Sequence, residues 1–309
     1  MKPFTAVRSE SVAALGEVEL IRRLGRWLAP VSPPSPRGMG DDCAVLPASR
    51  RPQLITVDPL IYGRHFDAGL APERAGAKLL KRNLSDIAAM GGRPTAAVIA
   101  LTLDPRVRID WLRRFHRGLA LCARRFGVSI VGGAGAQANG VLAASLTLLG
   151  CSTGGRFLER RGARPGDWIY VTGSLGASER SGHHWSFTPR LAEGAWLARR
   201  AEVRSMMDVS DGLAKDLWAL APPGTEPALE GAAVPLRRGA GLAEALGEGE
   251  DYELVLVVGA RSPRAAFERA FKRAFPRTRL SCIGRFERPA RIAPGSLRLR
   301  DYHGYEHLR

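Results

Sequence analysis

The sequence predicts an α/β (α+β) protein of two domains, and three observations carry that expectation. The chain has 309 residues, 45% of them hydrophobic, enough for two cores at about 100–200 residues per domain. Strand-like and helix-like patterns alternate along its whole length. One stretch, residues 152–167, is rich in Gly, Arg and Ser, has no apolar periodicity, and marks the expected junction. The expected domains are therefore 1–151 and 152–309.

The elements of the first domain follow in order. Val18, Ile21, Leu24 and Leu28 recur at helical spacing and predict a helix over Glu17–Leu28. A Pro/Gly/Ser loop leads to a short apolar run, Cys43–Pro47, read as a first strand, with Gln53–Val57 as the second. Pro72 opens a long helix to about Met90, stopped by Gly91-Gly92. A strand (Ala96–Leu103), a helix (Arg108–Phe126) and strands at Val128–Val131 and Val141–Gly150 complete the half. The second domain reads as a strand at Trp168–Thr172, helices near Leu191–Arg200 and Gly212–Leu220, and a strand at Ala228–Val234. It ends with a strand at Tyr252–Val258, a helix at Pro263–Phe275 and a strand at Leu280–Phe286.

Composition narrows the function classes. The net charge is +16, from 41 arginines and five lysines against thirty acidic residues. The arginines are spread along the chain with no basic tail, aromatic interleaving or zinc-finger spacing, so specific nucleic-acid binding is not expected. The longest apolar stretches fall short of the roughly 18–20 residues a spanning helix needs. The charged start, MKPFTAVRSESVAAL, lacks the apolar run of a secretory leader. A cytoplasmic protein away from membranes is expected. Cys43, Cys122, Cys151 and Cys282 are far apart, which argues against disulfides and structural zinc.

The informative charges are carboxylates set beside glycine or hydroxyl residues at element ends. They are Gly40-Asp41-Asp42, Thr56-Val57-Asp58, Asn83-Leu84-Ser85-Asp86, Asp208-Val209-Ser210-Asp211-Gly212 and Gly249-Glu250-Asp251-Tyr252-Glu253. Taken singly, each reads as a helix cap or a turn. Together they suit Mg²⁺, which takes hard oxygen ligands from a few carboxylates plus substrate phosphates. Glycines alongside let backbone N–H groups approach phosphate oxygens. No Walker A sequence, no G-x-G-x-x-G after a strand and no kinase-type H-R-D is present, so a nucleotide site must be of another type.

The ordered set G-D-D, T-V-D-x-L-x-x-G-x-H-F, N-L-S-D-I-A-A-M-G-G-x-P, P-G-D-W-I-Y-V-T-G-x-L-G, D-V-S-D-G-L-x-x-D-L and G-E-D-Y-E-L resembles the thiamine-monophosphate kinases. That family belongs to the PurM-like superfamily of aminoimidazole ribonucleotide synthetase. The resemblance runs from about Gly16 to the closing Gly304-Tyr305-Glu306-His307. It implies an N-terminal mixed-sheet α/β domain that pairs in a homodimer, and a C-terminal α/β domain. It implies ATP as co-substrate, several Mg²⁺ ions, and direct in-line transfer of the γ-phosphoryl group to thiamine monophosphate, giving thiamine diphosphate with no general base. By motif match, Asp42, Asp58, Asp86, Asp208 and Asp211, with Thr56 and the Val57 backbone, hold metal. Gly133, Ala134, Arg160 and Ser210 meet ATP, and His65, Glu250 and Tyr302 line the thiamine phosphate pocket. For His65 a half-buried turn histidine, and for Tyr302 a core or rim aromatic, are the alternatives.

The sequence departs from the family at three places. The usual G-G-D-T is here Gly132-Gly133-Ala134-Gly135, so a metal-binding Asp is missing. That implies either a weakened Mg²⁺ site or a family member that binds nucleotide or thiamine phosphate without efficient turnover. A small-residue helix after Gly173-Ser174-Leu175-Gly176 is replaced by Glu179-Arg180-Ser181-Gly182-His183-His184-Trp185, read as a surface loop, since adjacent histidines do not share a helix face. Tyr302 stands where Trp is usual.

Overall fold

The computed structural model describes residues 1–39, 43–154 and 156–306. Asp42, expected as a metal ligand, and Asp41 lie outside the described residues. The chain divides into two compact units, Met1–Leu84 with Arg93–Cys151, and Ser85–Gly92 with Ser152–Arg309.

The first unit contains α1 (Gly16–Leu28), β1 (Gln53–Ile61), most of α2 (Pro72–Ala89), β2 (Gly92–Leu103), α3 (Ile109–Phe126), β3 (Ser129–Gln137) and β4 (Leu142–Ser152). Its mixed sheet has the order β1-β4-β2-β3, with β1 antiparallel to β4 and β2 parallel to β3. Period-two alternation sends Leu60, Leu101, Leu103 and Leu142 to one face, where they meet Phe66, Trp111, Leu112 and Phe115. The Phe66, Trp111 and Phe115 rings stack in succession at 5.8 and 5.4 Å. Helices α2 and α3 cross at two glycines: a Cβ on Gly76 would lie 2.0 Å from the Phe115 carbonyl, and one on Gly118 would lie 1.9 Å from that of Glu73. Only glycine permits that approach. On the opposite face β1 leaves Ile55 and Val57 70% and 60% exposed, and Ile61 is exposed as well.

His116 sits in the core of this unit on α3, its Nδ1 donating to the Leu112 carbonyl at 2.8 Å. Burial lowers its pKa from 6.5 to about 4. The unfolded chain therefore takes up a proton between pH 6.5 and 4 that the folded chain does not. The stability this residue permits is fully present above pH 6.5 and falls by roughly 3 kcal/mol as pH drops through that window. Urea unfolding of wild type and of His116→Asn, which keeps the donor to Leu112 without a titrating group, isolates this contribution: the stability of wild type relative to the variant should fall by that amount from pH 7.5 to 4.

The second unit contains β5 (Trp168–Thr172), α4 (His183–Ser186), α5 (Leu191–Leu197), β6 (Val203–Asp208), α6 (Leu213–Leu220), β7 (Glu226–Leu229), α7 (Leu242–Gly247), β8 (Leu254–Val258), α8 (Arg264–Ala274), β9 (Leu280–Glu287) and β10 (Leu297–Arg298). Its sheet has the order β10-β7-β9-β5-β8-β6, antiparallel throughout. Both faces are covered. Ile169, Val171, Val255 and Val257 pack with Leu213, Leu217, Ala245 and Leu246 of α6 and α7. Tyr170, Leu254, Leu256 and Val258 pack with Leu197 of α5 and Phe267 and Phe271 of α8, together with Ala88 and Ala89 from the last turn of α2. Burial on both faces is why β8 reads as a continuous apolar run rather than an alternation.

Several sequence expectations change. Cys43–Pro47 forms no strand. β1 runs on to Ile61, and β3 continues through the glycine run to Gln137 because its backbone pairs with β2 up to Leu103. The strand expected at Ala228–Val234 instead spans Glu226–Leu229, and Gly231–Ala233 is a 3₁₀ turn. β6, α7 and β10 had no independent sequence signal. The segment read as a surface loop at His183-His184 forms α4 and is half-buried. All four cysteines are free thiols. No helix among the described residues is long and apolar enough to cross a membrane.

Candidate functional site

In the second unit the carboxylates gather where β6 meets α6. Asp208 is the last residue of β6 and is 3% exposed. Ser85, on the last part of α2, donates its hydroxyl to Asp208 Oδ2 at 2.6 Å. Asp86, the next residue, is half-buried. The turn after β6 is stapled by Asp216, whose Oδ2 accepts the N–H groups of Ser210 (3.0 Å) and Asp211 (3.1 Å). Burial pushes Asp216 up to about 7, opposed by those N–H groups and by the charge of Arg160. Arg160 is exposed on the loop ahead of β5.

Asp211 pairs with Lys215 Nζ at 2.8 Å, and the same Nζ donates to the Tyr305 carbonyl at 2.7 Å. The Tyr305 N–H returns to the Asp211 carbonyl at 2.7 Å. The Gly304-Tyr305 segment thus lies along the Asp211 turn, and Gly304 is what lets it in. A Cβ there would stand 2.6 Å from the Asp211 carbonyl oxygen and 2.5 Å from Lys215 Cβ. Tyr302 is half-buried and packs against the core of this unit.

Glu250 has a left-handed backbone, φ 63°, as does Tyr252 at 51°. Its Oε1 accepts the Tyr252 hydroxyl at 3.1 Å, and its Oε2 lies 3.3 Å from His184 Nδ1. The neighbouring Asp251 is fully buried and accepts Ser178 Oγ, Arg237 and the Gly176 N–H. Burial raises its pKa to about 6 against those donors.

In the first unit Thr56 and Asp58 share the inward-facing register of β1 and are half-buried, while Val57 points to the exposed side. Arg82 on α2 donates to the Pro59 carbonyl at 3.0 Å and stands 3.5 Å from Asp58 Oδ1. His65 Nδ1 accepts the Ile61 N–H at 3.0 Å, so the proton of the neutral ring sits on Nε2. Gly133 and Ala134 lie on β3 paired with Ile99 and Ala100, and both are exposed.

Sequence reasoning missed Ser85, Asp216, Lys215 and His184. Ser85 and Asp216 stand inside quoted motifs, where a hydroxyl next to Asp86 and a carboxylate five residues after Asp211 were the available signals. His184 gave none, because its partner lies 66 residues further on. Among the described residues no three His, Cys, Asp or Glu side chains are grouped closely enough to cage a metal ion. Mg²⁺ does not need such a cage, since it is held by one or two carboxylates, water and substrate phosphates. Asp86, Asp208 and Asp211 carry hard carboxylate oxygens of the type that Mg²⁺ takes.

The family profile described as AIR synthase related protein, N-terminal domain, matches residues 40–152. The thiamine-monophosphate kinase of Salmonella typhimurium is 34% identical over 275 residues, covering 79% of this chain and 83% of that one. The crystal structure of thiamine-monophosphate kinase from Stenotrophomonas maltophilia superposes with a TM-score of 0.71 at 28% identity, covering 88% of this chain and 94% of that one. The structure of AaThiL complexed with AMPPCP and TMP superposes with a TM-score of 0.67 at 28% identity, covering 89% and 91%. Sequence likeness of this extent, a shared two-sheet α/β architecture and acidic motifs in family order along both units make the chain an enzyme of the thiamine-monophosphate kinase family.

Proposed function

We propose that the protein transfers the γ-phosphoryl group of ATP to thiamine monophosphate, yielding thiamine diphosphate and ADP, as a cytoplasmic homodimer with domains 1–151 and 152–309. The observation that carries this reading is the acidic turn Asp208–Gly212, built between Ser85, Asp216 and the closing Tyr305 segment, in a chain of this family. The acceptor is already a phosphate anion, so no side chain has to act as a strong base. The difficulty is bringing two polyanions together. Mg²⁺ ions held by the acidic residues would supply charge neutralisation to the phosphates of both substrates, and in-line transfer would follow from that approach.

The residues divide that work. Asp42, Asp58, Asp86, Asp208 and Asp211, with Thr56 and the Val57 backbone, hold the metal ions. Ser85 keeps the Asp208 carboxylate in one orientation. Gly133, Ala134, Arg160 and Ser210 meet ATP, with Asp216 fixing the Ser210 and Asp211 N–H groups. His65, with its proton on Nε2, donates to the acceptor phosphate. Glu250 and Tyr302 face the thiamine portion.

Ala134 favours one second reading, a family member that binds nucleotide or thiamine phosphate without efficient turnover. The two readings separate in an ADP-release assay with ATP and Mg²⁺. The kinase reading expects release that depends on thiamine monophosphate; binding of both ligands with no release supports the second reading. Ala134 is exposed on β3, so Ala134→Asp adds a carboxylate without a clash. The Mg²⁺ concentration for half-maximal activity should then fall about tenfold.

Homodimerisation is supported by the bare face of the first sheet, where Ile55, Val57 and Ile61 of β1 and Val98 of β2 are exposed. An apolar surface of this kind on a folded unit marks an interface. In sedimentation the wild type should run at twice the chain mass and Ile55→Glu at the chain mass. A monomeric wild type overturns the dimer.

A further inference from the structure

The segment from Ser178 to Arg190, which contains the stretch that leaves the family pattern, grips the acidic loop ahead of β8 almost residue by residue. The Glu179 N–H donates to Glu248 Oε1 at 2.9 Å. Ser178 Oγ donates to Asp251 Oδ1 at 2.6 Å, and His183 Nε2 donates to the Asp251 carbonyl at 2.9 Å. The Phe187 ring stacks on Tyr252, with centroids 4.1 Å apart and planes 19° from parallel. Arg190 forks onto both oxygens of Glu253 at 2.7 and 2.6 Å. His184, the remaining member, stands 3.3 Å from Glu250 Oε2. A left-handed backbone at Glu250 and Tyr252 is costly for residues with a Cβ and persists where surrounding contacts over-determine it. These contacts do so.

Glu250 is less enclosed than Asp251 and Glu253, which the segment also grips. Its side chain is 29% exposed, against 3% for Glu253 and 0% for Asp251. Its two oxygens are nonetheless addressed separately, Oε1 by the Tyr252 hydroxyl and Oε2 by His184. A partly exposed carboxylate held in this way is suited to a cationic heterocycle. Thiamine carries such a ring.

We infer that His184 is a positioning residue for the acceptor substrate: it fixes the Glu250 carboxylate so that it meets the cationic ring of a phosphorylated heterocycle in one orientation. The inference rests on the proposal that Glu250 lines the thiamine phosphate pocket. It gives the departing segment a role in recognition rather than in metal binding. His183 and His184 serve neighbouring residues of one loop, and their adjacency follows from that.

Titration calorimetry with thiamine monophosphate, and separately with AMPPCP and Mg²⁺, tests this on wild type, His184→Ala, His184→Asn, Glu250→Gln and the His184→Ala/Glu250→Gln pair. His184→Ala should weaken thiamine monophosphate about fivefold, the upper size of a partly exposed polar contact, and leave AMPPCP unchanged. His184→Asn, whose amide donates from near the Nδ1 position, should recover to within about twofold. In the Glu250→Gln background the loss of His184 should add nothing further. A parallel loss of AMPPCP affinity, failure of Asn to rescue, or an equal effect of His184→Ala in both backgrounds overturns the positioning role. If Glu250→Gln weakens thiamine monophosphate and His184→Ala does not, only the role of His184 falls. If Glu250→Gln has no effect, or the wild type does not bind thiamine monophosphate, the pocket assignment fails and the inference with it.

Discussion

Asp208→Asn should lower kcat/KM for phosphoryl transfer about 1,000-fold while leaving the fold intact. Asn has the shape of Asp, and the position is 3% exposed at the end of β6 within a packed unit. Its side-chain oxygen can still accept the Ser85 hydroxyl that reaches Asp208 Oδ2 at 2.6 Å. What disappears is a negative charge at a place where nearby polar groups are already oriented. On the proposed function, the site then loses a hard, anionic ligand for Mg²⁺ and with it part of the neutralisation that two phosphate groups require. Circular dichroism and thermal melting should match the wild type to within the ordinary range of a buried isosteric change, roughly 1–2 kcal/mol. A variant that keeps activity within about tenfold of the wild type would remove Asp208 from the metal set.

Arg190→Ala should destabilise the second unit by about 3–5 kcal/mol, lowering its melting temperature by roughly 10 °C. Glu253 is 3% exposed and takes both prongs of the Arg190 guanidinium, plus the Thr172 hydroxyl at 2.7 Å. Removing the guanidinium leaves a buried carboxylate with one neutral donor. The cost comes from that stranded charge more than from the lost attraction. Replacing both partners, as in Arg190→Met with Glu253→Leu, should therefore recover much of the loss. A single variant within about 1 kcal/mol of wild type would mean that water reaches the pair.

The secondary structure was legible where burial writes a pattern. The helical stripe of α3, the apolar runs of β5 and β8 and the Pro-to-Gly punctuation of α2 all mark elements seen in the structure. It was illegible where the backbone alone decides. The glycine run of β3 has no side chains to alternate, so its pairing with β2 from Val98 to Leu103 left no trace in the sequence. β10 is two residues held by β7. Within the candidate site, local arrangements were legible and distant ones were not. The Asp208-to-Gly212 turn could be read from its own residues. The hydroxyl that orients Asp208 comes from 123 positions earlier, and Tyr305 is held by Lys215 from 90 positions later. The His183-His184 pair was misread as a surface loop because its partners, Asp251 and Glu250, are remote in sequence.

Conversion of thiamine monophosphate by the purified chain is the most direct test of its function. Phosphorus NMR of the purified protein with ATP, Mg²⁺ and thiamine monophosphate follows every phosphoryl group at once. The predicted spectrum shows the thiamine monophosphate resonance replaced by the two coupled resonances of thiamine diphosphate, with one ADP formed for each. An unchanged thiamine monophosphate signal at high protein concentration, whether ATP persists or is hydrolysed to ADP and inorganic phosphate, would contradict it.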